Sequence, residues 1–275
     1  MKKEEAIISP FDHGFLYGMG LFETFRVYNG HPFLLDDHIE RLNNSLQVLN
    51  INVQYTREQI AGALQLLLKK NRLEDAYIRL NVSAGIGEIG LQTEPYQNPN
   101  LIIFSKTLPP MKDVEKTALL LKIKRNTPEG HERLKSHHYL NNILAKREIG
   151  QSHDCEGIFL TAEGYLAEGV VSNLFWIKDE VLYTPTIDTG ILNGITRQFV
   201  LELARKEGIE IQEGLYPVVA VLEADEVFVT NSIQEIVPIA EIDGCMKPGK
   251  TGEMVKKIKE QYRNFTETTW SRKEL

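Results

Sequence analysis

Residues 20–30 read Gly-Leu-Phe-Glu-Thr-Phe-Arg-Val-Tyr-Asn-Gly and give the strongest structural signal in the first half of the chain. The first nine of them are rich in aromatic and apolar types, which predicts a β-strand. The strand ends at Asn29-Gly30, a sequence typical of hairpin turns, so a second short strand is expected over residues 32–35.

Helical periodicity follows this hairpin. Apolar residues recur every three or four positions in two segments, and each predicts a helix with one buried face: Ile39, Leu42, Leu46 and Leu49, then Ile60, Leu64, Leu67 and Leu68. Asp36 or Asp37 is the expected N-cap of the first helix, and a capping-box pattern from Thr56 to Gln59 opens the second. Residues 77–83 predict another strand, so the first half is an α+β unit.

The second half is richer in strands. Adjacent prolines at positions 109 and 110 place a domain boundary near residue 110. Beyond them, short strand-like segments at close spacing favour a meander or barrel over a parallel sheet. One helix is expected to begin at Ser136, with a buried stripe of Tyr139, Leu140, Ile143 and Leu144, and to stop at Gly150. The sequence therefore predicts two α+β domains, residues 1–110 and 111–275.

Composition excludes several classes of protein. The 275 residues carry a net charge of −7 and show no basic cluster, which argues against nucleic-acid binding by bulk charge. The longest apolar run, residues 218–222, is far shorter than the roughly 20 residues that span a membrane. Two cysteines without CxxC spacing, and no apolar stretch after the N-terminal lysines, predict a cytoplasmic protein. His137 and His138 are neighbours that would diverge on a helix, so no metal site is expected.

A few polar residues are candidates for chemistry, although each also has an ordinary structural explanation. Residues 194–196, at a predicted helix start, place amides and a hydroxyl where an anion could bind, or could simply begin the helix. Residues 230–232 could add hydroxyls to that site or form a capping turn. Lys135 lies at the edge of an apolar element, where its amine could act as a nucleophile, but most lysines are simply solvated.

Six ordered segments together resemble one enzyme family. They are residues 9–24, 38–42, 133–136, 168–173, 192–197 and 230–232. The chain resembles the branched-chain aminotransferase family, class IV of the pyridoxal-phosphate enzymes, which also contains D-amino-acid aminotransferases and aminodeoxychorismate lyases. The resemblance implies a small α/β sandwich domain, a larger strand-rich pseudo-barrel domain, pyridoxal 5'-phosphate as cofactor and a homodimer.

The resemblance also assigns roles to particular residues. Lys135 would hold the cofactor as a Schiff base and then serve as the catalytic base, and Glu168 would pair with the pyridine nitrogen. The remaining cofactor contacts would come from Leu192 on the ring face and, at the phosphate, from Arg41, Ile195, Thr196 and Ser232. Arg79, Asn231 and Thr24 are the candidates on the substrate side.

Within the family, residues 9–20, 126–130 and 134–142 most resemble the bacterial aminodeoxychorismate lyases. This implies conversion of 4-amino-4-deoxychorismate to 4-aminobenzoate and pyruvate, a step of folate biosynthesis. An aminotransferase for D-amino or branched-chain amino acids would use the same cofactor residues and is the first alternative. A non-catalytic protein that binds a small anion is the second.

Overall fold

The computed structural model describes residues 5–108 and 113–275. Its contacts divide them into two compact units. The first runs up to Leu108 and includes Leu134–His138, and the second comprises residues 113–133 and Tyr139–Leu275. The segment 134–138, assigned from sequence to the second domain, therefore groups with the first unit. The predicted boundary near residue 110 lies outside the described residues and stays a prediction.

The described part of the first unit folds as an antiparallel sheet with helices. Its elements are α1 (His13–Leu16), β1 (Gly20–Tyr28), β2 (His31–Pro32), α2 (Leu35–Val48), α3 (Arg57–Asn71), β3 (Ala76–Ser83) and β4 (Asn100–Thr107). The strand order is β2-β1-β3-β4. The predicted turn at Asn29-Gly30 is confirmed, and both residues have positive φ, as a type I′ turn requires. The second strand is shorter than the predicted 32–35, because it spans His31–Pro32 and the helix α2 already begins at Leu35.

The two predicted helix starts have different outcomes. The capping box of α3 is confirmed, because the Thr56 hydroxyl accepts from the Gln59 amide and the Gln59 side chain accepts from the Thr56 amide. The N-cap predicted for α2 is wrong. This helix begins after Leu34, and Asp36 and Asp37 lie in its first turn, where their charges still favour the helix dipole.

Strand β1 presents different chemistry on its two faces. Glu23 bonds to side chains of α2 on one face, and Phe22 and Thr24 point to the other, because successive residues of a strand alternate. Residues 135–137 lie along the N-terminal end of β1. The Phe22 amide donates to the Lys135 carbonyl (2.9 Å), and the His137 amide donates to the Gly20 carbonyl (3.0 Å). These bonds fix the backbone around Lys135.

The described part of the second unit is built on a nine-stranded sheet. Its elements are β5 (Lys116–Leu120), α4 (Leu140–Ile149), β6 (Cys155–Leu160), β7 (Leu166–Gly169), β8 (Asn173–Lys178), β9 (Val181–Pro185), α5 (Ile195–Lys206), β10 (Ile211–Gly214), α6 (Val218–Leu222), β11 (Glu226–Asn231), β12 (Glu235–Ile242), β13 (Cys245–Met246) and α7 (Glu253–Arg263). Strands β8, β11, β12, β5, β6 and β7 pair in that order, and β7 pairs back to β8. The ring is closed, so the predicted strand-rich pseudo-barrel is confirmed.

Helix α4 corrects one sequence-based expectation. It begins at Leu140, after Tyr139 as N-cap, because Ser136 belongs to the segment that pairs with β1. The predicted stripe is not buried, since Leu140, Ile143 and Leu144 are 67%, 46% and 39% exposed. The helix stops at Gly150 as predicted.

Candidate active site

Lys135 lies against the ring of Phe22 in the first unit. Its Nζ is 4.5 Å from the ring centroid, and the guanidinium carbon of Arg79 is 3.6 Å from the same centroid. Phe22 is almost fully buried. An aromatic face attracts cations electrostatically, so Phe22 holds both basic groups near the same face of β1.

Arg79 and Thr24 are neighbours on this face, because they are directly paired across β1 and β3. An Arg79 N–H donates to the side-chain oxygen of Asn81 (3.3 Å), and the Nε2 of His137 lies 3.2 Å from that oxygen. Burial, and then the charge of Arg79, lower the pKa of His137. Lys135, Arg79 and Thr24, all predicted from sequence, therefore lie on one face of β1.

Arg41 binds the buried carboxylate of Glu23, on the opposite face of β1. The sequence analysis did not predict this partner. Its guanidinium donates to both oxygens of Glu23, at 2.7 and 2.6 Å, and Nδ1 of His38 lies 2.7 Å from Glu23. Burial raises the pKa of Glu23, but the charge of Arg41 and the interactions of the carboxylate with His38 outweigh it and lower that pKa to about 2. Burial lowers the pKa of His38, so a neutral imidazole donates to an ionised Glu23.

Glu23→Gln is expected to lower the free energy of unfolding by about 3 kcal/mol at neutral pH, because Arg41 loses a buried charged partner. The pKa of Glu23 falls from 4.5 to about 2 on folding, so its stabilisation is present above 4.5 and disappears as the pH falls through 2. Urea unfolding at neutral and acidic pH measures this. The exposed Glu40 of the same helix gives the control Glu40→Gln, with an expected change within about 0.5 kcal/mol. A pH-independent loss in Glu23→Gln would contradict the assignment.

Glu168 is the buried carboxylate of the second unit. One oxygen accepts from Nε of Arg125 (2.8 Å), and the other accepts from the Leu192 amide (3.0 Å) and from the side chain of Asn173 (3.5 Å). Both oxygens of this buried carboxylate therefore accept hydrogen bonds. Glu168 and Leu192, predicted as ring contacts, are thus directly hydrogen-bonded.

Two arginines around Glu168 had no predicted role. Arg125 also donates to the side-chain oxygen of Asn141 (2.7 Å). Arg133 donates to the carbonyls of Gly190 and Asn126, and burial, then the charge of Arg125, lower its pKa to about 10. Arg125 ends the basic stretch Lys122-Ile-Lys-Arg125, which gives no local sign of a buried ion pair.

Polar groups at the N-terminus of α5 lie next to polar groups of the turn after β11. The N-cap, Gly194, offers no side chain to the first-turn amides, which include those of Ile195 and Thr196. The hydroxyls of Thr196 and Ser232 are 3.2 Å apart. A Cβ at Gly194 would clash with Asn173, so this close approach requires glycine. First-turn amides, a helix dipole and two hydroxyls are suited to a phosphate.

Asn231 has a structural task in the same turn. Its side-chain oxygen accepts from the amides of Ile233 (2.9 Å) and Gln234 (2.7 Å). The side chain of Asn231 therefore shapes the turn that carries Ser232, and its substrate role stays a prediction.

Two glycine patterns associated with phosphate binding also occur, and neither entered the sequence-based prediction. Residues 85–90 match GxGxxG but lead into β4 without an intervening helix. Residues 244–251 match GxxxxGKT and precede α7. There the amides of Met254 and Val255 donate to Glu226, and the Lys250 amide donates to Glu115. Carboxylates take up these donors, so this segment is not a phosphate loop.

The described residues also bear on metal binding and membrane insertion. No cluster of three or more histidine, cysteine or acidic side chains with metal-binding geometry was found there. None of the helices in residues 5–108 and 113–275 is long and apolar enough to cross a membrane.

The chain belongs to the family described as amino-transferase class IV, whose model matches residues 20–242. It is 48% identical over 266 residues to the aminodeoxychorismate lyase of Bacillus subtilis (strain 168), covering 96% of this chain and 91% of that protein. It is 31% identical to the D-alanine aminotransferase of Listeria monocytogenes serotype 1/2a (strain 10403S), covering 95% and 92%. The branched-chain aminotransferase of Thermoproteus uzoniensis, solved with norvaline, matches with a TM-score of 0.86 at 32% identity, covering 96% and 91%. The predicted family and fold are confirmed.

Proposed function

We propose that this protein is an aminodeoxychorismate lyase, which converts 4-amino-4-deoxychorismate to 4-aminobenzoate and pyruvate in folate biosynthesis. The likeness to the Bacillus subtilis lyase over nearly the whole chain carries this proposal. It is far stronger than the likeness to the D-alanine aminotransferase.

Pyridoxal 5'-phosphate is the proposed cofactor, and the chemistry of the donors within each unit supports it. The phosphate is assigned to Ile195, Thr196 and Ser232 at the α5 N-terminus and to Arg41. The Glu168 carboxylate is assigned to the ring nitrogen, and Leu192 to the ring face. When bound, the cofactor supplies a conjugated ring that accepts electrons released from the substrate carbon.

Lys135 is assigned the proton transfers. In the neutral form its Nζ takes the proton from the amine-bearing ring carbon of the substrate. The neighbouring C–O bond breaks, the ring becomes aromatic, and the departing enolpyruvate gains a proton to become pyruvate. The backbone bonds to β1 and the Phe22 ring restrict the positions that Nζ can take.

Charged groups on the substrate side are assigned to the first unit. Aminodeoxychorismate carries two carboxylates, and Arg79 offers a guanidinium on the same face of β1 as Lys135 and Thr24. Because the chain has a net charge of −7, these anions are bound by a few placed cations and not by the overall field.

The test incubates the purified, cofactor-loaded protein with aminodeoxychorismate and no amino acceptor, and measures 4-aminobenzoate and pyruvate. Equimolar products above the uncatalysed rate support the lyase. A second arm supplies D-alanine or a branched-chain amino acid with 2-oxoglutarate. Amino-group exchange in that arm, with no 4-aminobenzoate in the first, would replace the lyase by an aminotransferase.

A homodimer is part of the proposal. Apolar side chains stay exposed on α4, where Leu140 and Ile143 are 67% and 46% exposed, and an exposed apolar face of this kind marks an interaction surface. Sedimentation is expected to give twice the chain mass of 31.3 kDa. Leu140→Glu should shift the protein towards monomer, and Val48→Glu, at an apolar position of α2 that is 69% exposed, should not. A monomeric wild type would refute the dimer.

The proposed location is the cytoplasm. Cys155 and Cys245 are both unpaired, which suits a reducing compartment.

A further inference from the structure

A buried ion pair lies between β5 and β6 in the second unit. Nζ of Lys116 is 3.1 Å from a carboxylate oxygen of Glu156, and both side chains are more than nine-tenths buried. Removing two charges from water costs more than their attraction returns unless their remaining hydrogen-bonding capacity is met. Each member of this pair should therefore have a further partner.

One of those partners lies in the turn that follows β7, the strand of Glu168, and the other lies in the turn that contains Ser232. The second oxygen of Glu156 accepts from the Val170 amide (3.0 Å), two residues after Glu168, and this amide is shared with the Gly157 carbonyl (3.0 Å). Lys116 donates to the side-chain oxygen of Gln234 (3.2 Å), in the turn after β11. One ion pair thus binds the turn beside Glu168 and the turn that contains Ser232.

Gln234 connects this ion pair to the Ser232 turn. Its side-chain oxygen accepts from Lys116 and also from the side-chain amide of Asn231 (3.2 Å). Asn231 in turn accepts from the backbone of Ile233 and Gln234. Ser232 lies inside this closed set of bonds, with its hydroxyl 3.2 Å from that of Thr196.

We propose that Gln234 is a positioning residue for the cofactor phosphate. Its side-chain oxygen, which accepts from Lys116, holds the turn around Asn231 so that Ser232 and Thr196 present their hydroxyls together. This inference rests on the proposed function, because it takes the phosphate to bind at these two hydroxyls. It assigns Gln234 no contact with the substrate or with the cofactor ring.

The test measures the affinity of the cofactor-free protein for pyridoxal phosphate by spectroscopic titration. Gln234→Met keeps the length of the side chain and removes the acceptor, so Kd is expected to rise about 10-fold. Gln234→Glu keeps an acceptor for Lys116 and Asn231 and should stay within about three-fold of wild type. The exposed Gln212 of β10 gives the matched control Gln212→Met, with unchanged Kd. At saturating cofactor, kcat of Gln234→Met should stay within about two-fold, because positioning of the phosphate is a binding effect.

Equal Kd values for wild type and Gln234→Met would overturn the inference, and so would a Gln234→Glu protein that binds as weakly as Gln234→Met. If Gln234→Met does not fold, Gln234→Asn takes its place, since it keeps the amide but withdraws the oxygen from Lys116. Wild type that does not bind pyridoxal phosphate at all would instead refute the proposed function. The two failures are therefore distinguishable.

Discussion

Lys135→Met is expected to lower lyase turnover by at least about 1,000-fold, because one nitrogen is assigned both the covalent link to the cofactor and the proton transfers. Methionine preserves the length and apolar packing of the side chain against Phe22. The fold should therefore survive, and the loss can be attributed to chemistry.

Two measurements make this prediction specific. Borohydride treatment of the cofactor-loaded wild type should attach the cofactor irreversibly to the peptide that contains Lys135, and Lys135→Met should acquire no label there. Lys106 gives a matched control, since its ammonium lies 4.5 Å from the ring centroid of Tyr77 in the same unit. Lys106→Met should retain full activity and labelling. Label on another lysine of the wild type would refute the assignment of Lys135.

Glu168→Gln is the second change with a large expected effect. A neutral amide has one oxygen where the carboxylate has two, so its NH₂ group must face either Arg125 or the Leu192 amide, both of which are donors. Arg125 also loses its buried counter-charge, and breaking a buried pair costs about 3 kcal/mol or more. Turnover is expected to fall by about 100-fold or more, because a neutral side chain no longer favours a protonated ring nitrogen.

The control for this prediction must separate stability from chemistry. Glu226 accepts from the amides of Met254 and Val255 at the start of α7, so Glu226→Gln also removes a carboxylate that binds backbone. It should lower the melting temperature and leave kcat unchanged. Glu168→Gln should lower both, and the absorbance of the bound cofactor should shift. Unchanged kcat and spectrum in folded Glu168→Gln would exclude the ring-nitrogen role.

Local signals were sufficient for much of the secondary structure. The Asn29-Gly30 turn and the Thr56 capping box each involve neighbouring residues, so the sequence carries their full description. The stripe on α4 shows the limit of periodicity. It indicates an apolar face but not whether another element covers it, and Leu140 remains exposed.

The candidate site was predictable only in part, for a similar reason. Lys135 and Thr196 lie in segments that resemble a known family, so the resemblance could identify them. The groups that hold site residues in place are ion pairs between distant positions: Glu23 with Arg41, Arg125 with Glu168, and Lys116 with Glu156. No local pattern in a single sequence links such partners, and three-dimensional contacts were needed to find them.

The segment at residues 135–137 affects how the protein is made. Leu21 and Ser136 are bridge partners, although more than a hundred residues separate them along the chain. A ribosome has therefore released all of β1 to β4 before the segment that carries Lys135 emerges. Contacts of such long range close late and slow folding. Until then, the β1 edge of the nascent first unit lacks the segment 135–137. Lys135 joins the first unit only after synthesis of the second unit has begun.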